Sequence, residues 1–586
     1  MTTKKVTKRT LPKTAAKKGS KLFSEAAVAQ IKDEQTEWEE SVLKEYPKKK
    51  PETRAEFRTG SGDIAVKEIY TPADIPDFDY SKNIGLAGQY PFTRGIYPNG
   101  WRSHEWPLQY YSGFGTTEDT NKRFKELLAQ GASNVTVACD LPTQIGYDSD
   151  DSMAAGEVGK VGVAICSLDD LERLYEGLPV DRVSGTGNLN CLGPIALAFC
   201  YVLGEKRGVR PSDMQVGFQN DPFKEYTGRG TFSFPPRVAL ALAIDVVEFC
   251  SKNLPRWWPQ HVCTTQMRWG GCTAAEEVAF GLANLVTYLD ADVERGIKLG
   301  ELVPKMHLHM TADNDLFEEA AKFRATRRLW AKIATKRYET KDPRVVGLRI
   351  TNYTGAHRMT AQQPMNNIVR STMHTLACML GGVDAIMNPA YDEALALPTV
   401  ESTRLAALTR RILHYESGTA NTVDPLAGSY YVESLTDQIQ EQAQKYFDEI
   451  EAMGGALAAI ESGYYLKAMA DGMVKYQREV ESEERIIVGV NKDVLPEEVP
   501  VKIFMGNPEA EKKQIANVKK LRAKRDKALV KEALAKVRAA AEEKMVKPTY
   551  NTVPVLLEAT RAYCTIGEIR KVWLDVFGEY KPLTYY

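Results

Sequence analysis

No stretch of this 586-residue chain stays apolar long enough to cross a membrane. The longest such run, PIALAFCYVL at 194–203, falls well short of the roughly 18–20 residues a span needs. Cysteine pairs at redox or zinc-site spacing are also missing. Nine cysteines are scattered without one C-x-x-C, which reads as reduced, buried thiols of a cytoplasmic protein. A net charge of −1 leaves no basic field to attract nucleic acid. The first 21 residues hold eight Lys or Arg and no acid, but lack the apolar core of a secretory signal, so a disordered basic arm is expected there. P-loop, nucleophile-elbow and zinc-hydrolase motifs are absent. The nearest approach, SGTGNLNCLGP at 184–194, lacks both the G-x-G-x-x-G spacing and the P-loop lysine.

What remains is an ordinary globular composition, 26% charged and 43% apolar, in a chain long enough for one large core and a second layer. From about residue 130 a short β-rich run precedes a longer helical pattern eight times. The runs are 134–140, 183–190, 215–221, 261–269, 305–311, 345–352, 384–389 and 418–424. Helical patterns lie at 168–176, 194–206, 236–251, 274–299, 316–335, 361–380, 403–415 and 435–453. Such alternation implies parallel strands joined by right-handed crossovers. Eight units predict an α/β fold of the (β/α)8 TIM-barrel type, with an open doubly wound sheet as the alternative. The chain divides into a basic tail and subunit-contacting arm (1–60), a substrate-binding barrel (61–435) and a helical C-terminal extension (436–586). The charged run 509–547 has apolar positions at Ile515, Val518, Leu521, Leu529, Leu534 and Val537, spaced for helices lying on another surface.

Several strand runs end in polar clusters, among them Cys139–Asp140, Gln219–Asp221 and Gln266–Arg268, and in a barrel those ends converge on one face. Before the first run lies a strap, YPFTRGIYPNGWRSHEWPLQYYSGFG at 90–115, crowded with rings, glycines and prolines. It has neither helical period nor strand alternation and is expected to cross a barrel end, lining a channel for a long ligand or planar cofactor, or plugging the barrel. In QNDPFKEYTGR, Arg229 follows a strand end and could grip a carboxylate through two parallel hydrogen bonds, or pair with Glu225 at the surface. His307 and His309 share one side of a strand, and without a third ligand at recognised spacing they read as hydrogen-bonding groups rather than metal ligands.

These segments together resemble the large, substrate-binding chain of the methylmalonyl-CoA mutase family, its hydroxyacyl-CoA branch included. The matching stretches are PFTRG (91–95), SGFGT (112–116), DLPTQIGYDSD (140–150), GEVGKVGVAI (156–165), QNDPFKEY (219–226), DEALALPT (392–399), ESGTANTVDPLAGSYYVE (416–433) and IVGVN (487–491). The resemblance implies a barrel whose axis is the substrate channel, with adenosylcobalamin against the strand C-terminal face and radical 1,2-rearrangement as the reaction. No D-x-H-x-x-G cobalamin motif occurs. The cofactor is therefore expected on a separate small subunit, in an α2β2 heterotetramer.

The resemblance carries over Tyr97 as the strap tyrosine near CoA, Tyr111 beside the reacting carbons and Arg229 on the substrate carboxylate. It carries over Gln219 near the thioester oxygen and Glu393 near the adenosyl ribose. Departures stand beside them: His104 and Gln109 replace strap arginines, Gln266 the thioester histidine, Lys305 and His307 an Arg-x-Ser pair, and Tyr353 a corrin-side glutamine. Cys139 fills the position that separates subfamilies, and Trp269 joins Glu393 and Tyr353 on the cofactor side. The expectation is a mutase acting on a carboxylated or branched acyl-CoA. The alternatives are a non-CoA carboxylic acid as substrate, a metal-dependent barrel lyase and a non-catalytic mutase subunit.

Overall fold

The computed structural model describes residues 21–48, 50–54, 56–103, 109–129, 131–132, 134–180, 189–496 and 501–582. The basic arm 1–20, His104 and most of the run 183–190 lie outside the described residues. The chain forms a mixed α/β fold with parallel sheets. β1 (Gln109–Ser112) pairs with β2 (Asn134–Val137), Tyr111 standing opposite Thr136. β3 (Val262–Cys263), β4 (Leu308–Met310), β5 (Ile350–Tyr353) and β6 (Ala385–Met387) make a second parallel sheet in that order. Cys263 faces His309, His309 faces Thr351, and Thr351 faces Ala385. Single parallel bridges add Val163 beside Cys139 and Gly217 beside Trp258. Among the described residues these strands do not close into one sheet.

Three local expectations are corrected. The run 418–424 is a chain of turns, not a strand: Gly418 (φ 76°) and Asp424 (φ 53°) both take the left-handed conformation, which breaks extended pairing. The strand missing from the sequence pattern is β1, which lies inside the strap, so the strap's end joins a sheet. The run 261–269 is a strand only at Val262–Cys263; Thr264 turns the chain and Thr265–Trp269 is helical.

Helices fall where the apolar period places them: Gly193–Lys206, Pro236–Asn253, Ala274–Glu294, Leu316–Arg337, Asn367–Leu380 and Val400–Tyr415. Thr273 and Glu276 form a capping box that starts Ala274–Glu294. One apolar core packs Ala274–Glu294, Leu316–Arg337 and Tyr430–Met453 around β3, β4 and β5. A second gathers β2 with Gly193–Lys206, Val553–Arg561 and Ile566–Phe577. In the charged segment, Ala510–Lys524 and Lys527–Val546 are helices that bury Val518 and Val537 and leave Leu529 exposed.

Leu316–Arg337 is buried over most of its length although it carries many charges, and its buried cations have partners. Lys322 Nζ donates to Glu277 Oε2 at 2.6 Å and to the Thr311 carbonyl at 2.8 Å, and it also pairs with Glu319. Arg324 binds Asp424 and Glu433. Arg327 donates to the carbonyls of Phe92, Thr93, Gly381 and Gly382, tying this helix to the strap. Removing one partner of a buried pair leaves an uncompensated charge.

The strands bury their two faces unequally. Leu308, Met310, Ile350, Asn352 and Ile386 face the helices and are buried, whereas His309, Thr351, Tyr353, Ala385 and Met387 alternate with them and remain partly accessible. Tyr111 on β1 is 43% exposed. Surrounding protein nevertheless pushes its phenol pKa upward.

Lys322→Ala is expected to lower stability by about 3–5 kcal/mol, because Glu277 and Glu319 would stay buried without their cation. Urea denaturation of the variant against the parent chain checks this.

Candidate functional site

The site collects side chains from the C-terminal ends of the strands and the loops that follow them. Tyr111 projects from β1. Arg229 closes a helical turn, Glu225–Arg229, that Gly230 ends in the left-handed conformation. The two side chains hydrogen-bond, and Arg229 also acts electrostatically on Cys139. Cys139 is fully buried at the end of the β2 segment, where burial and then Asp140 raise its thiol pKa. Asp140 itself caps the next short helix through the Thr143 amide.

Gln266 packs against the Arg229 loop: a Cβ on Gly228 would come within 2.9 Å of Gln266 Cβ, so only glycine leaves room there. Cys263 Sγ approaches Gln266 Oε1 at 3.5 Å. Gln219 is buried, and its Oε1 accepts from Asn190 Nδ2 at 3.0 Å. Asn190 also donates to Glu225, which accepts from Thr231 as well. Asp221 is fully engaged, accepting from Tyr288 Oη and the Cys263 amide, each at 2.7 Å. Burial pushes its carboxyl up to about 6.

At the rim Tyr353 Oη donates to Glu393 Oε1 at 2.9 Å. Burial pushes the Glu393 carboxyl up to about 7, and the tyrosine hydrogen bond opposes that rise. Trp269 lies 6.1 Å from Tyr353 and 5.9 Å from His357, centroid to centroid, and its Nε1 donates to Thr311 Oγ1 at 3.4 Å. Tyr353 also lies within electrostatic reach of Tyr111, which joins the rim to the Arg229 cluster.

Tyr111, Arg229, Cys139, Gln266, Gln219, Tyr353, Glu393 and Trp269 therefore share one region. Tyr97, Lys305 and His307 sit toward the opposite strand edge. Tyr97 Oη accepts from Arg349 Nη2 at 2.5 Å. Lys305 belongs to the turn before β4 and acts electrostatically on Cys250, away from the cluster. His307 stacks on His261. Among the described residues no three His, Cys, Asp or Glu side chains gather as a metal-ligand set. Arg349 and His261 were not singled out in the sequence, and Glu225, expected at the surface, is buried. For Arg349 a signal existed: Arg349, Thr351 and Tyr353 alternate on one face of one strand.

A hydrogen-bonded Tyr111–Arg229 pair at one end of the partly accessible strand face and an aromatic, acid-bearing rim at the other fit an enzyme, an isomerase of the mutase kind. The profile of the family described as methylmalonyl-CoA mutase matches residues 59–579. The large subunit of 2-hydroxyisobutanoyl-CoA mutase from Aquincola tertiaricarbonis is 36% identical over 554 residues, covering 94% of this chain and 98% of that protein. Methylmalonyl-CoA mutase of Escherichia coli K12 is 34% identical over 545 residues, covering 93% and 75%. The human mitochondrial enzyme is 34% identical over 564 residues, covering 96% and 74%. The chain belongs to the methylmalonyl-CoA mutase family.

Tyr353→Phe is expected to raise the Glu393 carboxyl above about 7, since the hydrogen bond that holds it down is lost. Between its ordinary value and about 7 the folded chain keeps a proton that the unfolded chain releases, so stability falls as pH rises through that window. Infrared titration of the carboxyl band, with Glu393→Gln as the blank, checks the shift.

Proposed function

We propose that this protein is the substrate-binding large chain of an adenosylcobalamin-dependent acyl-CoA mutase. Its reaction is a radical 1,2-carbon-skeleton rearrangement of a branched or carboxylated acyl-CoA. Cobalamin is carried by a separate small subunit in an α2β2 assembly in the cytoplasm, consistent with nine free, buried cysteines. The observation that carries the reading is the hydrogen-bonded Tyr111–Arg229 pair facing the internal space. A closed (β/α)8 barrel at 61–435, between the arm 1–60 and the helical extension 436–586, is the arrangement that leaves one face of parallel strands lining such a space. The relatives are named for acyl-CoA substrates, and one is a large subunit, which supports both the substrate class and the small-subunit partner.

Arg229 holds the substrate carboxylate, and Tyr111 packs over the reacting carbons and fixes their orientation. Gln266 and Gln219 give the thioester oxygen neutral hydrogen bonds, where an amide can donate without moving a proton. Cys139 sets the room left for the acyl branch. The residues present suit the cofactor: Glu393 has one oxygen engaged by Tyr353 and the other available for ribose hydroxyls, and Trp269 and Tyr353 offer partly accessible ring faces at the rim. When bound, adenosylcobalamin supplies a cobalt–carbon bond that breaks homolytically to start the reaction. The chain's own task is to position the substrate and exclude water.

Arg229→Ala, assayed with the small subunit and adenosylcobalamin present, is expected to lower kcat/KM for a carboxylated acyl-CoA by roughly one to two orders of magnitude, the loss of a charge-assisted pair. Unchanged kcat/KM would remove Arg229 from the substrate. Gln266→Ala is expected to lower kcat more than it weakens adenosylcobalamin binding.

A further inference from the structure

Asn190 has no part in that scheme, although its amide is fully engaged beside Gln219. It is 3% exposed and stands just before helix Gly193–Lys206. A Cβ on Gly193 would collide with Asn220 Oδ1, so glycine lets this segment lie directly against residues 219–221. The Asp221 amide donates to Asn190 Oδ1 at 3.1 Å. Asn190 Nδ2 donates to Gln219 Oε1 at 3.0 Å and also to Glu225 Oε1.

A side-chain amide can ordinarily turn over, exchanging its oxygen for its nitrogen. Asn190 is held against that from both sides. Its oxygen faces a backbone N–H, which only donates, and its nitrogen faces a carboxyl group on which donors converge. Thr231 Oγ1 donates to Glu225 Oε2, and Lys224 Nζ lies 3.5 Å from Oε1. A turned Asn190 would set N–H against N–H at Asp221 and oxygen against oxygen at Glu225. Both hydrogens of Nδ2 are thus committed, one to Glu225 and one to Gln219.

The second of those hydrogens dictates which way Gln219 points. With Oε1 taken by Asn190, Gln219 offers Nε2 on its other side, where it makes no hydrogen bond among the described residues. Turning Gln219 over would bring two N–H groups together across 3.0 Å. Gln266 is oriented in the same sense, its Oε1 approached by Cys263 Sγ at 3.5 Å.

We propose that Asn190 is a positioning residue that fixes the polarity of Gln219, so that this part of the site presents N–H donors and selects an accepting ligand atom, the carbonyl oxygen of a thioester. The proposal rests on the mutase reading above. Control runs outward from the backbone: the Asp221 amide and Glu225 set Asn190, Asn190 sets Gln219, and Gln219 meets the substrate without moving a proton.

Infrared spectra of the full chain with a bound dicarboxylic acyl-CoA, isotope-labelled at its thioester carbonyl, test this. A donated hydrogen bond lowers the carbonyl stretch, so Gln219→Met should raise it. Asn190→Asp should raise it by the same amount, and the double variant no further. That substitution keeps the shape at position 190. Whether the new carboxyl is ionised or shares a proton with Glu225, no N–H is left for Gln219 Oε1. With the small subunit and adenosylcobalamin present, Asn190→Asp is expected to lower kcat about tenfold with KM little changed, but less than about twofold in the Gln219→Met background. Should Asn190→Asp fail to fold by circular dichroism, Asn190→Ala serves, with a partial rise of the band. A band unmoved by substitution of Asn190, or losses that add across the two positions, would overturn the proposal and leave the mutase reading intact. A parent chain that binds no acyl-CoA would overturn both.

Discussion

Parallel strands normally bury both faces, because the crossover helices cover them. Here one face is sealed by helices and the other stays partly accessible, and that asymmetry is the constraint on which the rest of the structure depends. Side chains on the open face cannot be large aliphatics without filling the space, nor unpaired charges without a heavy desolvation cost. The chain places imidazoles, amides, hydroxyls and tyrosines there, and Arg229 and Arg349 are each held by an aromatic partner.

The walls of that space are fixed from behind. Leu316–Arg337 lies between the sheet and the outer helices, and its buried cations reach Glu277, Asp424, Glu433 and the strap carbonyls at Phe92 and Thr93. Such pairs add little net stability compared with apolar packing, but they are unforgiving of misplacement, which suits a scaffold that must hold site residues from distant segments in one geometry. The same logic explains Gly228: close contact with Gln266 helps position the Arg229 loop.

Much of this was legible in the sequence because helix period and strand length survive burial. The helices and four of the strand runs appear where patterning puts them. β1 was hidden because QYYS carries no alternation and sits among glycines and prolines. TANTV at 419–423 looked strand-like, yet flanking left-handed residues turn it. The resemblance carried by the matching segments had already named Tyr111, Arg229 and Gln266 together, whereas nothing singled out Arg349 and His261, whose placement depends on register between strands that a single chain does not display. Lys305 sits in the turn before β4, apart from the Arg229 cluster.

The most direct test of the account is a crystal structure of the chain with a carboxylated acyl-CoA bound. The account predicts the acyl group inside the space walled by β1 and β3–β6, its carboxylate within hydrogen-bond distance of Arg229 and its carbons against Tyr111. A ligand seated on the outer helices, or an interior filled by side chains with no room for an acyl group, would contradict it.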